Sequence, residues 1–208
     1  MTSLEERQES RRRQMLDAGI ALLGGPEAGA LGVRAVCRST GITERYFYEA
    51  FGTRDGFAHA VYDDIAGRTQ DVLVQGVRRA YDAAAAAEEP VTAVAVAEAA
   101  VVAFVEFVID RPDVGRILLL APYRESVLAE RGLGSMPAFF DVVAAAMPGV
   151  VDGTTRRLVA TGLVGALTTL FTEYIAGRLD VTRQQLVDHC VRLIATAPDR
   201  FVDEPRTD

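Results

Sequence analysis

The stretch Leu31-Gly-Val-Arg-Ala-Val-Cys-Arg-Ser-Thr40-Gly-Ile-Thr-Glu-Arg-Tyr-Phe-Tyr-Glu-Ala50-Phe-Gly-Thr-Arg-Asp-Gly-Phe57 decides the fold. Val33, Val36, Cys37 and Thr40 recur at i, i+3, i+4 and i+7, one apolar stripe of a short helix. Gly41 follows the last periodic residue, where a left-handed backbone is least costly for glycine. Ile42 is placed to plug a core, and Thr43 stands where an N-cap belongs, its hydroxyl able to accept from a free backbone amide. A second helix follows, with Phe47, Ala50 and Phe51 on one face to pack on Val36 and Ile42. Glu44, Arg45, Tyr48 and Glu49 point elsewhere, with Tyr46 at the margin. Gly52 stops this helix. Thr53 caps a third, with Asp55 in its first turn, where the helix dipole favours a carboxylate. Two short helices at this spacing form a helix-turn-helix unit, which lays its second helix in a DNA major groove.

Outward from this unit the chain reads as helix throughout, with no strand signal. Helices are predicted over Glu5–Leu23, the two short segments, Arg54–Ala87, Val91–Asp110, Asp113–Leu120, Tyr123–Arg131 resuming at Met136–Met147, Asp152–Arg178 and Thr182–Ala197. Breaks are expected at Gly24-Gly25-Pro26, Glu88-Glu89-Pro90, Arg111-Pro112, Gly132-Leu-Gly134-Ser135 and Pro148-Gly149. Leu16, Ile20 and Leu23 form the buried side of the first helix, and Phe57, Val61, Ile65, Val72 and Val77 that of the fourth. The fold class is all-α with about nine helices: an amino-terminal three-helix DNA-binding domain over residues 1–56 and a larger helical domain over 57–208.

The residues of the opening stretch resemble the TetR family of one-component bacterial regulators. That pattern has a glycine after the first short helix, an apolar residue, a Ser/Thr cap, a tyrosine with a phenylalanine three residues on, a small-residue turn and a basic residue. Here these are Gly41, Ile42, Thr43, Tyr48, Phe51, Gly52-Thr53 and Arg54. One departure is Gly32, where the family has Thr or Ser. Glycine is an acceptable cap, but no side chain can reach a phosphate from there.

The resemblance implies a ligand-responsive regulator, a repressor released from a pseudo-palindromic operator by a small hydrophobic or amphipathic effector. The DNA-facing set is then Arg34, Thr43, Glu44, Arg45, Tyr46, Tyr48 and Arg54. Arg45 can donate twice to a guanine edge, worth about 1–3 kcal/mol of discrimination. It can equally form an i,i+4 surface pair with Glu49, worth about 0.3–0.5 kcal/mol. Tyr48 matches a phosphate-gripping tyrosine, and Thr43 and Arg54 are placed for phosphates. Glu44 can accept from cytosine N4, and Arg34 matches a position that reaches bases or backbone. Tyr46 is a sugar or thymine-methyl contact or a core residue. Arg11, Arg12 and Arg13 either flank the DNA backbone or form a solvated helix end.

An effector site among the middle helices would draw on Phe104, Phe107, Tyr123, Arg124, Phe140, Thr168, Phe171 and Thr172. The last two helices carry apolar stripes that one chain does not readily cover, and the resemblance implies a homodimer through Leu158, Gly162, Gly165, Leu186, Cys190 and Leu193. The alternative is that the predicted helices Val91–Asp110 and Tyr123–Met147 cover these stripes internally.

Composition constrains these readings. All 22 basic residues are arginine, against 29 acids, a net charge of −7. Residues 1–56 hold eight of each sign, so the acidic excess lies beyond the DNA-facing segment, and the field near phosphates is a local matter. Cys37 and Cys190, both on apolar faces, read as buried thiols of a reducing cytoplasm. The charged first 13 residues carry no secretory signal pattern, and Val91–Ile109, the stretch nearest to a membrane span, is interrupted by Glu98 and Glu106. An enzyme is disfavoured: His59 and His189 are the only imidazoles, neither in a nucleophile or metal spacing. No metal or cofactor is expected. The rival reading is a helical dimeric adaptor whose helix-turn-helix survives only as fold.

Overall fold

The computed structural model describes residues 4–25, 32–147 and 152–197. All regular structure among them is helical: α1 (Leu4–Leu23), α2 (Val33–Thr40), α3 (Glu44–Phe51), α4 (Arg54–Ala86), α5 (Ala93–Phe104), α6 (Pro112–Gly115), α7 (Ala121–Arg124), α8 (Ser126–Ala146), α9 (Gly153–Ile175) and α10 (Arg183–Thr196). The expected turn at Pro148-Gly149, Pro26 of the first loop, and Leu31 lie outside the described residues.

The helices divide into two compact units. One runs to Gly67 and takes in Arg111–Leu133; the other comprises Arg68–Asp110 and the described residues from Gly134 onward. The first unit holds the helix-turn-helix. α1 packs on α2 and α6, and α2 on α3. Its core gathers Met15, Leu16 and Ile20 of α1, Val36 of α2, Phe47 of α3, and Phe57, Val61, Tyr62 and Ile65 of α4, all 4 % exposed or less. Three aromatic rings seat α3: Phe57 lies 4.9 Å from Phe47 and 4.7 Å from Phe51, both edge-on, the geometry that ring quadrupoles prefer. Arg13 clamps α1 to α4, donating from Nη1 and Nη2 to the two Asp64 oxygens at 2.7 and 3.0 Å. Segment 111–133 is fastened in by Arg116 Nη1 to the Gly24 carbonyl (2.8 Å), His59 Nε2 donating to the Val127 carbonyl (2.8 Å), and an Arg131–Asp63 ion pair (3.0 Å).

In the second unit α10 lies along α5. Leu186, Val187 and Cys190 are buried on α10, as are Val96, Ala97 and Val101 on α5. Arg183 forks onto Asp110, Nε to Oδ1 at 2.9 Å and Nη2 to Oδ2 at 2.7 Å, pinning the start of α10 to the residue that ends α5's extension. A second cluster joins Met147, Val159, Ala160, Leu163 and Ala197, with Val143, Ala144, Leu193 and Ile194 against it. Asp152 caps α9 by accepting from the Thr154 and Thr155 amides, and α10 opens on a Thr182–Gln185 capping box.

Several expectations are corrected. The break predicted at 132–135 is absent: α8 is continuous from Ser126 to Ala146, through Gly132 and Gly134, with Pro137 inside it. Pro137 lacks only the amide that would reach the carbonyl one turn back, at the exposed Leu133. The helix predicted to end at Asp110 does so through a π turn, Val105–Ile109, and a second π turn, Arg116–Leu120, follows α6. On α4 Phe57, Val61 and Ile65 are buried, but Val72 and Val77 are only half-buried and Leu73 is buried instead. Cys190 is fully buried, which pushes its thiol up to about 11, but Cys37 is only half-buried. Finally, α9, and not Val91–Ile109, is the helix long and apolar enough to cross a membrane by length and composition among the described residues. Only 28 % of its most apolar 18-residue window is buried.

Candidate nucleic-acid interface

Two glycines set the frame. Gly41 has φ +69° and Gly52 φ +71°, the left-handed region that residues with a Cβ rarely enter. They stop α2 and α3 after eight residues each. Gly32 caps α2 with extended backbone and offers no side chain. Thr43 takes the N-cap backbone of α3, but its exposed hydroxyl makes no capping bond, contrary to expectation. Thr53 does cap α4, accepting from the Gly56 amide at 2.9 Å, with Asp55 in the first turn.

The short α3 has a sharp division of faces. Phe47 is wholly buried and Phe51 half-buried. Ala50, expected beside them, is exposed, because it lies about 60° around the helix from Phe47 on the side away from Phe51. The outer face carries Thr43, Glu44, Arg45, Tyr46, Tyr48 and Glu49, all exposed, with Tyr48 at 48 % and Tyr46 at 43 %. Arg34 on α2 is also exposed.

Ion pairs run across this face. Arg45 Nε donates to Glu49 Oε1 at 2.8 Å, so the surface pair weighed for this arginine is formed. The pairing, led by that hydrogen bond, raises the Arg45 pKa and keeps the guanidinium charged. Arg34 Nε lies 3.6 Å from Glu44 Oε1, an ion pair too long for a hydrogen bond. Arg54 Nη1 approaches Asp55 at 3.4 Å.

Three of the four arginines of α1, Arg11, Arg12 and Arg13, make contacts within the first unit. Arg13 is held by Asp17 and Asp64. Arg12 lies over the Phe51 ring (5.3 Å) and Arg11 over the Tyr46 ring (4.2 Å). Tyr46 is therefore neither core nor bare: its ring is a shelf for a guanidinium, a cation–π contact. Sequence spacing holds no signal for it, because the partners lie 35 residues apart on separate helices. An open cleft of about 290 Å³ beside these groups is lined by Arg12, Gly56, His59, Ala60, Asp63, Asp64 and Arg131.

The expected effector residues separate. Phe104 and Phe171 stack at 4.5 Å and 27° in the second unit, with Phe171 buried. The Thr172 hydroxyl is buried with no hydrogen-bond partner. Phe107, Phe140 and Thr168 are half-buried, Phe107 beneath the Arg68 guanidinium at 5.3 Å. Tyr123 and Arg124 instead belong to the first unit and are exposed, Tyr123 to 76 %.

Of the expected interface set, Leu158 is 69 % exposed, Gly162 and Gly165 are exposed, and Leu193 is half-buried. Leu186 and Cys190 are interior, because α5 covers that stripe of α10, as the internal alternative foresaw for this part. No group of three or more His, Cys, Asp or Glu side chains among the described residues is placed to hold a metal.

Solved structures with the same architecture cover nearly the whole chain. A protein assigned as a transcriptional regulator from Pseudomonas aeruginosa PAO1 matches with a TM-score of 0.69 at 20 % identity, over 96 % of this chain and 100 % of that one. A TetR transcriptional regulator from Rhodococcus sp. RHA1 matches with a TM-score of 0.65 at 16 % identity, over 92 % and 97 %. The fold is that of the TetR-family regulators. The TetR-family repressor AlkX from Dietzia sp. strain DQ12-45-1b, implicated in biodegradation of n-alkanes, shares it at a TM-score of 0.59 and 18 % identity, over 93 % and 98 %. No protein-family model and no curated protein matches the chain by sequence. The TetR fold gives α3 its meaning within this chain: it is the second helix of the helix-turn-helix, with arginine and tyrosine outward and phenylalanine inward.

Proposed function

We propose that this chain is a TetR-family DNA-binding regulator, a repressor that leaves its operator when a hydrophobic or amphipathic small molecule binds. The observation that carries this reading is the outward face of α3. Arg45, Tyr46 and Tyr48 are exposed on the side of α3 away from the fully buried Phe47, with Tyr46 under Arg11 and Tyr48 edge-on to Phe47, which leaves the tyrosine hydroxyl end and the guanidinium at the surface. Arg45, Arg34 and Glu44 read base edges; Tyr48, Thr43 and Arg54 hold phosphates; Tyr46 contacts sugar or a thymine methyl. The uncommitted Thr43 hydroxyl suits a phosphate better than a capping hydroxyl would. In this reading residues 1–56 dock on DNA and 57–208 sense and dimerise.

Two features support the sensing half. The Thr172 hydroxyl, buried and unpartnered beside the Phe104–Phe171 stack, is a selector of the sort an apolar effector site contains. AlkX, a repressor implicated in n-alkane biodegradation, shares the fold. For dimerisation, Leu158, Thr161, Gly162, Gly165, Ala166 and Thr169 fall at helical spacing on the exposed side of α9. A Cβ added at Gly162 or Gly165 would meet nothing within 4 Å. A second α9 covers that strip and leaves α10 contributing through Leu193. Two subunits then present two copies of α3 to half-sites about one helical turn (~34 Å) apart.

Gel retardation with the DNA upstream of the chain's own gene tests the reading. Wild type shifts the duplex, and Tyr48→Phe weakens the shift on every sequence alike. An intact dimer with no shift at low salt would leave the adaptor reading and end this one.

A further inference from the structure

Within the recognition surface, the geometry points to Glu49 as the residue that positions Arg45 for sequence readout. It does so by accepting from Nε and leaving only the two Nη groups to face the duplex. The inference rests on α3 being the helix that meets DNA.

A guanidinium can fork onto a guanine edge end-on, through Nη1 and Nη2, or side-on, through Nε and one Nη. In this chain the second option is taken. Glu49 Oε1, one turn along α3, holds Arg45 Nε at 2.8 Å. Without that acceptor the exposed side chain is free to sample many rotamers and either docking mode. With it, one fork remains, at a fixed place above the helix. Arg34 on α2 is not held this way, its Nε standing 3.6 Å from Glu44. The support given to Arg45 is of the kind a specificity-determining contact requires.

The same carboxylate repels phosphates. Binding that rests on charge alone is weakened by it, whereas binding that places guanine O6 and N7 against the Nη pair gains from the fixed fork. Both effects widen the gap between specific and non-specific binding, the quantity that matters in a genome.

The test is selection from a randomised duplex library by full-length wild type, Glu49→Ala, Glu49→Gln and Arg45→Ala, followed by competition binding across a salt series. Glu49→Ala should bind random-sequence DNA at least as well as wild type, yet lose roughly twofold of preference at one position per half-site, a part of what Arg45→Ala loses there. Glu49→Gln loses the same charge but keeps an oxygen that accepts from Nε, so it should retain most of that preference. If Glu49→Ala changes affinity for all sequences equally and leaves the preference intact, Glu49 is only bulk charge and the inference falls. If wild type itself enriches no sequence, the DNA-binding reading falls and takes this one with it.

Discussion

Replacing Phe57 by leucine tests how α3 is held. The side chain is fully buried, and its ring meets Phe47 at 4.9 Å and Phe51 at 4.7 Å. Leucine keeps most of the apolar burial but forfeits two edge-on aromatic contacts, each worth about 0.5–1.5 kcal/mol beyond area. The smaller side chain also leaves a small void, because Phe47 on the facing helix is itself fully enclosed and has little freedom to follow. The sum is a loss of about 2 kcal/mol, within the range for core truncations. With a urea dependence of about 2 kcal/mol per molar, in the middle of the usual range, the unfolding midpoint falls by about 1 M. Helical circular dichroism during urea titration measures it. Phe51 is only half-buried and has Arg12 over its ring. Phe51→Leu should therefore cost less than half as much. A midpoint shift under about 0.2 M for Phe57→Leu, or a larger one for Phe51→Leu, would refute the claim that this aromatic triangle seats the helix.

Gly67 lies inside α4, and a Cβ there would meet nothing within 4 Å. Gly67→Ala should raise stability by about 0.5–1 kcal/mol through helix propensity and lost backbone freedom, read as a higher urea midpoint. A lower midpoint would show that the position needs glycine for a reason outside its surroundings. The Arg183 guanidinium holds the Asp110 carboxyl below its ordinary range. A group whose pKa is depressed by folding adds stability that is present above its unfolded value, about 3.9, and fades as pH falls through the folded one. Asp110→Asn should therefore narrow the stability lost between about pH 5 and pH 3, by no more than about 1 kcal/mol for so exposed a pair, and leave the slope near pH 7 unchanged. Urea midpoints across that pH series would contradict the assignment if mutant and wild type fell in parallel.

The helix-turn-helix was legible because its punctuation is local. Gly41 and Gly52 mark left-handed stops, and phenylalanine and tyrosine alternate between faces at helical spacing. What sequence spacing left open depends on partners distant in the chain. On α10 Leu186, Cys190, Leu193 and Ala197 share one stripe at helical spacing and Val187, Val191 and Ile194 another, and only the position of α5 decides that Leu186, Val187 and Cys190 are interior while Leu193 is half-buried. Local breakers also misled where the fold overrules them, as at Gly132, Gly134 and Pro137 inside α8. The π turns carry no marker at all in composition: Val105–Ile109 and Arg116–Leu120 read as ordinary helix.

Charge shows most clearly why a residue count cannot replace geometry. Residues 1–56 balance eight arginines against eight acids. Arg13 is absorbed by Asp17 and Asp64, holding α1 on α4, and the three groups together carry one negative charge. Arg11 and Arg12 spread over the Tyr46 and Phe51 rings, which carry no charge of their own, so both cations stand beside α3. On α3 itself Glu44 and Glu49 face Arg34 and Arg45. The field at the outer face of α3 is thus set by cations held on aromatic shelves at its edge and by ion pairs at its centre. In the proposed DNA-binding role, attraction to phosphates comes from those edge cations, although residues 1–56 carry no net charge.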